Sequence, residues 1–186
     1  MLKTSPPFRA MLDQHPGRAP RPPPLEDNAM ATLTPTSIVR HTAIRITTAR
    51  PTEFIDLTER LEALIAQSGI SQGLVNVQTL HTTTGLLVNE HEPLLLADIT
   101  ALLERTAPAD ATYRHDDPAF RTVNVVAGER PNGHAHCRAL LLAPSACLNV
   151  IDGHLRLGRW QRVFLVELDG PRERSVSVLI LGENGR

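Results

Sequence analysis

A chain of 186 residues is long enough to bury one sizeable core and leaves room for a tail, but not for two ordinary domains. A formal net charge of -1 without a long basic run gives no footing for nucleic acid or an anionic membrane as partner. No apolar run nears the roughly 18 residues that span a bilayer, no signal-peptide core is visible, and Cys137 and Cys147 lack C-x-x-C spacing; the expectation is a cytoplasmic protein with both thiols as small buried groups.

Seven of the fifteen prolines fall in the first 24 residues, among arginines and without an apolar period. Residues 1–33 are therefore expected to be a Pro-rich, disordered extension, and 34–186 a single domain. Met30 stands directly before the first patterned segment, which makes residues 1–29 the expected dispensable part. The alternation Thr42, Ile44, Ile46 predicts a strand over Ser37–Thr47. Asp56 is placed to cap a helix, with Glu59 three residues on, an apolar stripe of Leu57, Leu61, Leu64 and Ile65, and Gly69 to end it. A strand is expected over Leu74–Leu80, running into His81, and another over Leu86–Val88.

Pro93 suits the first turn of a helix whose stripe is Leu95, Ile99, Leu102 and Leu103, with His91 and Glu92 at its entry and Asp98 at the margin of the stripe. Tyr113–Pro118 reads as a polar loop and Thr122–Val126 as a short strand. Asn132 is placed to cap a short helix over His134–Leu142, on which His134 and His136 lie roughly 200° apart and cannot share a ligand. From Cys147 the pattern is all strand: Leu148–Ile151, an Asp152-Gly153 hairpin, Leu155–Leu157, the alternating run Arg159–Leu168, an Asp169-Gly170-Pro171 turn, and a last strand through Val176, Val178 and Ile180. Short connections between these strands favour antiparallel pairing. The expected class is α+β, a β-rich antiparallel sheet or sandwich with two or three helices.

Three histidines stand at the edges of elements: His81 after a strand, His115 in a loop and His136 early in a helix. With a carboxylate such as Glu90 or Asp98 they have the chemistry to hold zinc or a related ion, or to grip a phosphate. No H-x-x-x-H or H-E-x-x-H spacing supports this, and a scattered histidine is more often a surface group. Thr82–Thr84 with Gly85 offers hydroxyls and amides to an anion, or makes a turn without any ligand. Arg172 and Arg174 suit a phosphate, or a solvated charge cluster. His15, His41 and His154 read as surface residues.

Taken in order, H-T-T-T-G-L-L-V-N-E (His81–Glu90), Asp98, H-D at His115, P-N-G-H-A-H (Pro131–His136), D-G-x-L-x-L-G-x-W-Q (Asp152–Gln161) and E-L-D-G-P-R (Glu167–Arg172) resemble the YjbQ family, known as secondary thiamine-phosphate synthase. The resemblance spans roughly residues 37–182. It implies a homotrimer with a β-rich α+β fold. It also implies a polar site of His81, Glu90, Asp98, His115 and His136 as catalytic residues, His81, His115 and His136 as ligands of a divalent ion (Mg or Zn), and Asn132, Gln161 and Arg172 as further binding residues. His136, rather than His134, matches the motif. Arg159 stands where a threonine is usual and Ala143 where a glycine is usual; of these, Arg159 bears on the site rim.

The implied activity joins a hydroxymethylpyrimidine diphosphate to a thiazole phosphate and releases pyrophosphate, so the partners are small phosphorylated metabolites. The alternatives from other classes are a trimer that binds a metal or phosphometabolite without catalysis, and a metal-dependent hydrolase.

Overall fold

The computed structural model describes residues 37–184. Both the Pro-rich extension expected over residues 1–33 and His15 lie outside them. The elements in chain order are β1 (Ile38–Thr47), β2 (Glu53–Asp56), α1 (Thr58–Ser68), β3 (Ile70–Thr79), β4 (Thr84–Glu90), α2 (Pro93–Thr106), α3 (Gly133–Ala139), β5 (Ser145–Ile151), β6 (His154–Leu155), β7 (Gln161–Glu167) and β8 (Glu173–Asn184), with a 3-10 turn at Arg114–Asp116. The strands form two antiparallel sheets, one in the order β1-β8-β3-β5-β6 and one in the order β2-β7-β4. The expected α+β class, β-rich with three helices, is what the chain adopts.

Period-two alternation explains how the layers stack. In the larger sheet Ile46, Val75, Val77, Val176, Val178 and Ile180 point inward, where they meet Val163 and Leu165 of β7 and the stripe Leu57, Leu61 and Ile65 of α1 in one core. The neighbouring residues of β7, Phe164 and Val166, point the other way and join Leu168, Leu103 of α2 and Ala135 of α3 in a second core. The smaller sheet is thus covered on both faces, by the large sheet and by the helices. This is why β7 is buried from Val163 to Glu167, although an alternating strand more often has one wet face.

Local signals set the element ends. The N-cap of α1 is Leu57 rather than the expected Asp56, which stands one residue earlier at the end of β2 and accepts from the Thr58 amide through Oδ1 at 2.9 Å; Gly69 ends α1 with φ 72 in the left-handed region. Glu92 accepts from the amides of Leu94 and Leu95 at the start of α2, with Pro93 in the first turn. Asp152 and Gly153, both at positive φ, make the β5–β6 turn. Three further expectations are corrected. Thr122–Val126 is irregular, with Asn124 at φ 54 and Val123, Val125 and Val126 all exposed, so its β-branched residues have no partner strand. The Asn132 side chain does not cap α3; only its Nδ2 is engaged, as a donor to Asp169. Cys137 and Cys147 are free and exposed, Cys137 on α3 and Cys147 on the outward face of β5. Among the described residues no helix is long and apolar enough to cross a membrane.

Candidate functional site

A cleft of about 450 Å³ opens where the C-terminal end of β3 meets the loops before α3 and β8. Its wall includes His81, His115, Asn132, His136 and Arg172, together with Arg121, Asn124, Glu129, Asp169 and Arg174. Five residues singled out from the sequence therefore come together from four separate segments.

Backbone geometry brings His81 in. The β3–β8 pairing runs to Thr79 opposite Val176, and the chain then bends so that the Leu80 amide donates to the Ser175 carbonyl and the Ser175 amide donates to His81 Nε2 at 2.8 Å. An imidazole whose Nε2 accepts is neutral and carries its proton on Nδ1. Burial, then the charge of Arg174, holds the His81 pKa below the ordinary imidazole value against the smaller opposing pull of Glu167. The threonines that follow are structural. The Thr83 hydroxyl accepts from Arg174 at 3.0 Å, while the Thr84 hydroxyl bonds Thr79 and the His81 carbonyl. Gly85 is needed because a Cβ there would collide with Leu142.

His115 and His136 are brought together by Asp116. Its Oδ1 accepts from the amides of Asn132 and Gly133, both at 2.9 Å, so the turn that carries His115 is tied to the first residues of α3. A Cβ on Gly133 would stand 2.5 Å from Tyr113 Cβ, so only glycine allows this approach. The two imidazole rings lie 4.6 Å apart, edge to face. Burial, then the proximity of His115, lowers the His136 pKa. His134, on the other side of α3, faces Tyr113 instead.

Asp169 anchors the floor. It receives the Asn132 Nδ2 donor at 3.1 Å and pairs with Arg172 at 2.8 Å, while Arg130 donates to its carbonyl. Asn132 is 4% exposed, and its Oδ1, like His115 Nε2, is buried without a hydrogen-bond partner. Orphaned buried polar atoms are rare enough in folded proteins that two on one cleft wall point to a missing ligand or water. Behind the wall, Glu167 is fully buried and chelates Arg174 through both oxygens at 2.6 Å, with Thr48 and the amides of Leu168 and Asp169 completing its partners. Burial would raise the Glu167 pKa, but these bonds outweigh it and the net shift is downward. At the rim Arg121 pairs with Glu129 at 2.8 Å, and that hydrogen bond holds the Glu129 carboxylate low.

Glu90, Asp98 and Gln161 are not on this wall. Glu90 pairs with Gln161 at the opposite end of the β4–β7 ladder, about 20 Å along β4 from the His81 end, and Asp98 is exposed on α2. Arg159 lies over the Trp160 ring, 4.6 Å from its centroid, and touches neither this wall nor its rim.

A divalent ion does not fit the donors of a single chain. Among the described residues no three His, Cys, Asp or Glu side chains group as ligands. The Nε2 lone pair of His81 is taken by Ser175, and the wall carboxylates Glu129 and Asp169 each face an arginine.

Arg121, Asn124, Glu129, Glu167 and Asp169 were not singled out from the sequence as a site, and Arg174 was singled out only with Arg172 as suited to a phosphate, not as the partner of Glu167. Asp169 reads there as a turn residue and Glu167 as one position of an alternating strand. Both sit in the E-L-D-G-P-R motif, which was the available signal.

Comparison with known proteins agrees with the geometry. A model of UPF0047 YjbQ-like proteins matches residues 42–183. A UPF0047 protein of Methanothermobacter thermautotrophicus is 40% identical over 136 residues, 73% of this chain and 87% of its own length. One from Archaeoglobus fulgidus is 38% identical, over 74% of this chain and 98% of its own. A solved YbjQ-like protein of unknown function from Sulfolobus solfataricus is 34% identical, covers 79% of this chain and 99% of its own, and superposes with a TM-score of 0.70. The two-sheet fold is shared with that solved relative, and the family model spans every residue of the cleft: this chain belongs to the YjbQ-like UPF0047 proteins.

Proposed function

We propose that the cleft binds the phosphate groups of small phosphorylated metabolites and that the protein is a thiamine-phosphate-synthase-like transferase. The observation that carries this reading is the convergence on one small cleft of the Arg121 and Arg172 guanidiniums with the imidazoles of His81, His115 and His136. In the proposed reaction the thiazole ring nitrogen attacks the methylene carbon of the pyrimidine diphosphate. The carbon–oxygen bond breaks, its electron pair goes to the bridging oxygen, and pyrophosphate leaves.

Such a step needs charge on the leaving group met by fixed donors and the two rings held close. Arg172, kept in place by Asp169, and Arg121, kept in place by Glu129, supply cationic donors. Neutral His81 supplies its Nδ1 proton, and Ser175 prevents the ring from turning. His136 and His115 donate to or accept from the bound group. The proposed homotrimer has its support in the outer face of the large sheet, where Val39, Leu74, Leu179, Leu181 and Ile151 are exposed.

The reading is tested by mixing purified protein with both thiamine precursors, with and without added magnesium, and following pyrophosphate. Release that requires both precursors is the expected result. Release from the diphosphate alone identifies a hydrolase, and phosphate binding without release identifies a binding protein. That second outcome has an observation in its favour, since Arg121, Arg172 and Arg174 on the cleft wall each already have a carboxylate partner.

A further inference from the structure

Beside the polar cleft lies a larger and more apolar one, of about 910 Å³, between the end of β3 and α3 with the turn that follows it. The two clefts share Leu80, His81, Thr82 and His136, so they are neighbouring rooms with one common wall. Beyond that wall their chemistry differs. The polar cleft is faced by arginines, carboxylates and Asn132, whereas the larger one is faced mainly by Leu140, Leu142, Ala139 and Pro144, with Gln78 and Cys137 as its other polar groups beside the two threonines. Leu140 is 85% exposed and Leu80 57% exposed, which is costly for leucines unless something covers them. The threonine hydroxyls on this side, Thr79 and Thr84, bond each other and present no free donor pair.

We infer that the larger cleft is the subsite for the aromatic body of a phosphate ester whose phosphate occupies the polar cleft. This rests on the reading of the polar cleft as a phosphate site. Two features commit the occupant to this class. The shared wall carries two imidazoles, so a ligand that spans the clefts has its anionic end facing His81 and His136 and its body against leucine and proline. The volume leaves room for more than a single five- or six-membered ring. The body gains affinity from apolar area removed from water, and the phosphate fixes its orientation.

The test uses two probes on the full chain by calorimetry, inorganic phosphate and 1-naphthyl phosphate. The expected result is naphthyl phosphate binding about tenfold tighter or more than phosphate, from the extra apolar area it buries. Leu140→Asp, and the milder Leu140→Ser, should remove that gain while leaving the phosphate affinity unchanged; because Leu140 is exposed, both variants retain the fold. Arg172→Ala should weaken both probes together. Phosphate bound, with naphthyl phosphate no tighter, overturns the subsite and spares the phosphate site. Failure of both probes overturns the two readings together. Naphthyl phosphate binding that ignores Arg172→Ala overturns the bipartite ligand. A change of oligomeric mass in the Leu140 variants, read by light scattering, assigns the apolar cleft to a contact between copies and overturns the subsite as well.

Discussion

The two ends of β7 carry similar side chains and behave differently. Near Gln161, Asp56 accepts from Arg162 at 2.8 Å and from His91 at 3.0 Å, and Arg162 reaches Glu59. Near Glu167, about 20 Å further along the strand, stand the Glu167–Arg174 pair and the histidine cleft. Both ends hold acids, an arginine and a histidine. At the first, every named group is partnered, His91 also packs edge-on against Phe164, and neither cleft described above reaches it. At the second, a cavity and two polar atoms without a partner among the described residues remain after all the ion pairs are counted. A density of titratable residues therefore does not mark a site; unspent hydrogen-bonding capacity beside open volume does.

The largest effect that would separate the two ends concerns Glu167. Glu167→Gln leaves the Arg174 charge buried and unpaired, and should cost about 3–5 kcal/mol in urea unfolding. Adding Arg174→Met should recover much of that loss. At the other end Arg162→Ala removes a half-exposed pair and should cost about 0–1 kcal/mol. If the two single variants destabilise equally, the contrast between the ends is lost. For activity, Arg172→Ala or His136→Ala should lower pyrophosphate release about a hundredfold or more, as loss of a donor to developing charge does. Arg162→Ala should leave turnover unchanged.

Acid should also distinguish the ends. His81, His134 and His136 each have a pKa held below the ordinary value, burial being the main cause in all three. The folded state thus prefers their neutral forms, and the unfolded chain binds protons more readily. Stability is full above the ordinary histidine pKa and declines as pH falls from there toward the lowered folded values. Asp56 behaves differently. Burial opposes its ionisation, but the bonds from Thr58, Arg162 and His91 together prevail and lower its pKa. Its contribution is present above the ordinary aspartate pKa and is lost only as pH falls through the depressed folded value. Thermal unfolding followed from neutral pH downward should show a first decline in the histidine range. Substituting His134 by Gln should shrink that decline and leave the later, strongly acid one intact.

Periodicity made most of the fold legible. Alternation placed β1, β7 and β8, the apolar stripe and Gly69 placed α1, and Asp152-Gly153 placed the β5–β6 turn. β2 was invisible because four residues between a bend and a helix carry no period. Thr122–Val126 misled because β-branched residues favour strands only where a partner strand exists. The site was half legible. His81, His115, Asn132, His136 and Arg172 were found through their motifs, whereas Arg121 and Glu129 lie in an irregular loop whose pairing no local pattern encodes. Arg174 is seven residues from Glu167 across a turn, and an acid on a core-facing strand position gives no sign of what meets it. The error in the other direction came from adjacency in the chain. His81 and Glu90 are close in sequence, but an extended strand lies between them and carries one away from the other.

That separation also yields the smallest predicted effect. Asp98 is exposed on α2 and Glu90 partly buried beside Gln161, and among the described residues neither has an ion pair. If one chain supplies the whole site, Asp98→Asn and Glu90→Gln should change stability by no more than about 0.5 kcal/mol and leave pyrophosphate release intact. A large loss of turnover with unchanged unfolding is the informative alternative. A carboxylate this far from the cleft can act on bound phosphate only from a second copy, so such a loss would show that the proposed trimer builds the site across its interface. Mixing Asp98→Asn chains with Arg172→Ala chains would then restore part of the activity, because some clefts would receive their arginine from one chain and their carboxylate from another.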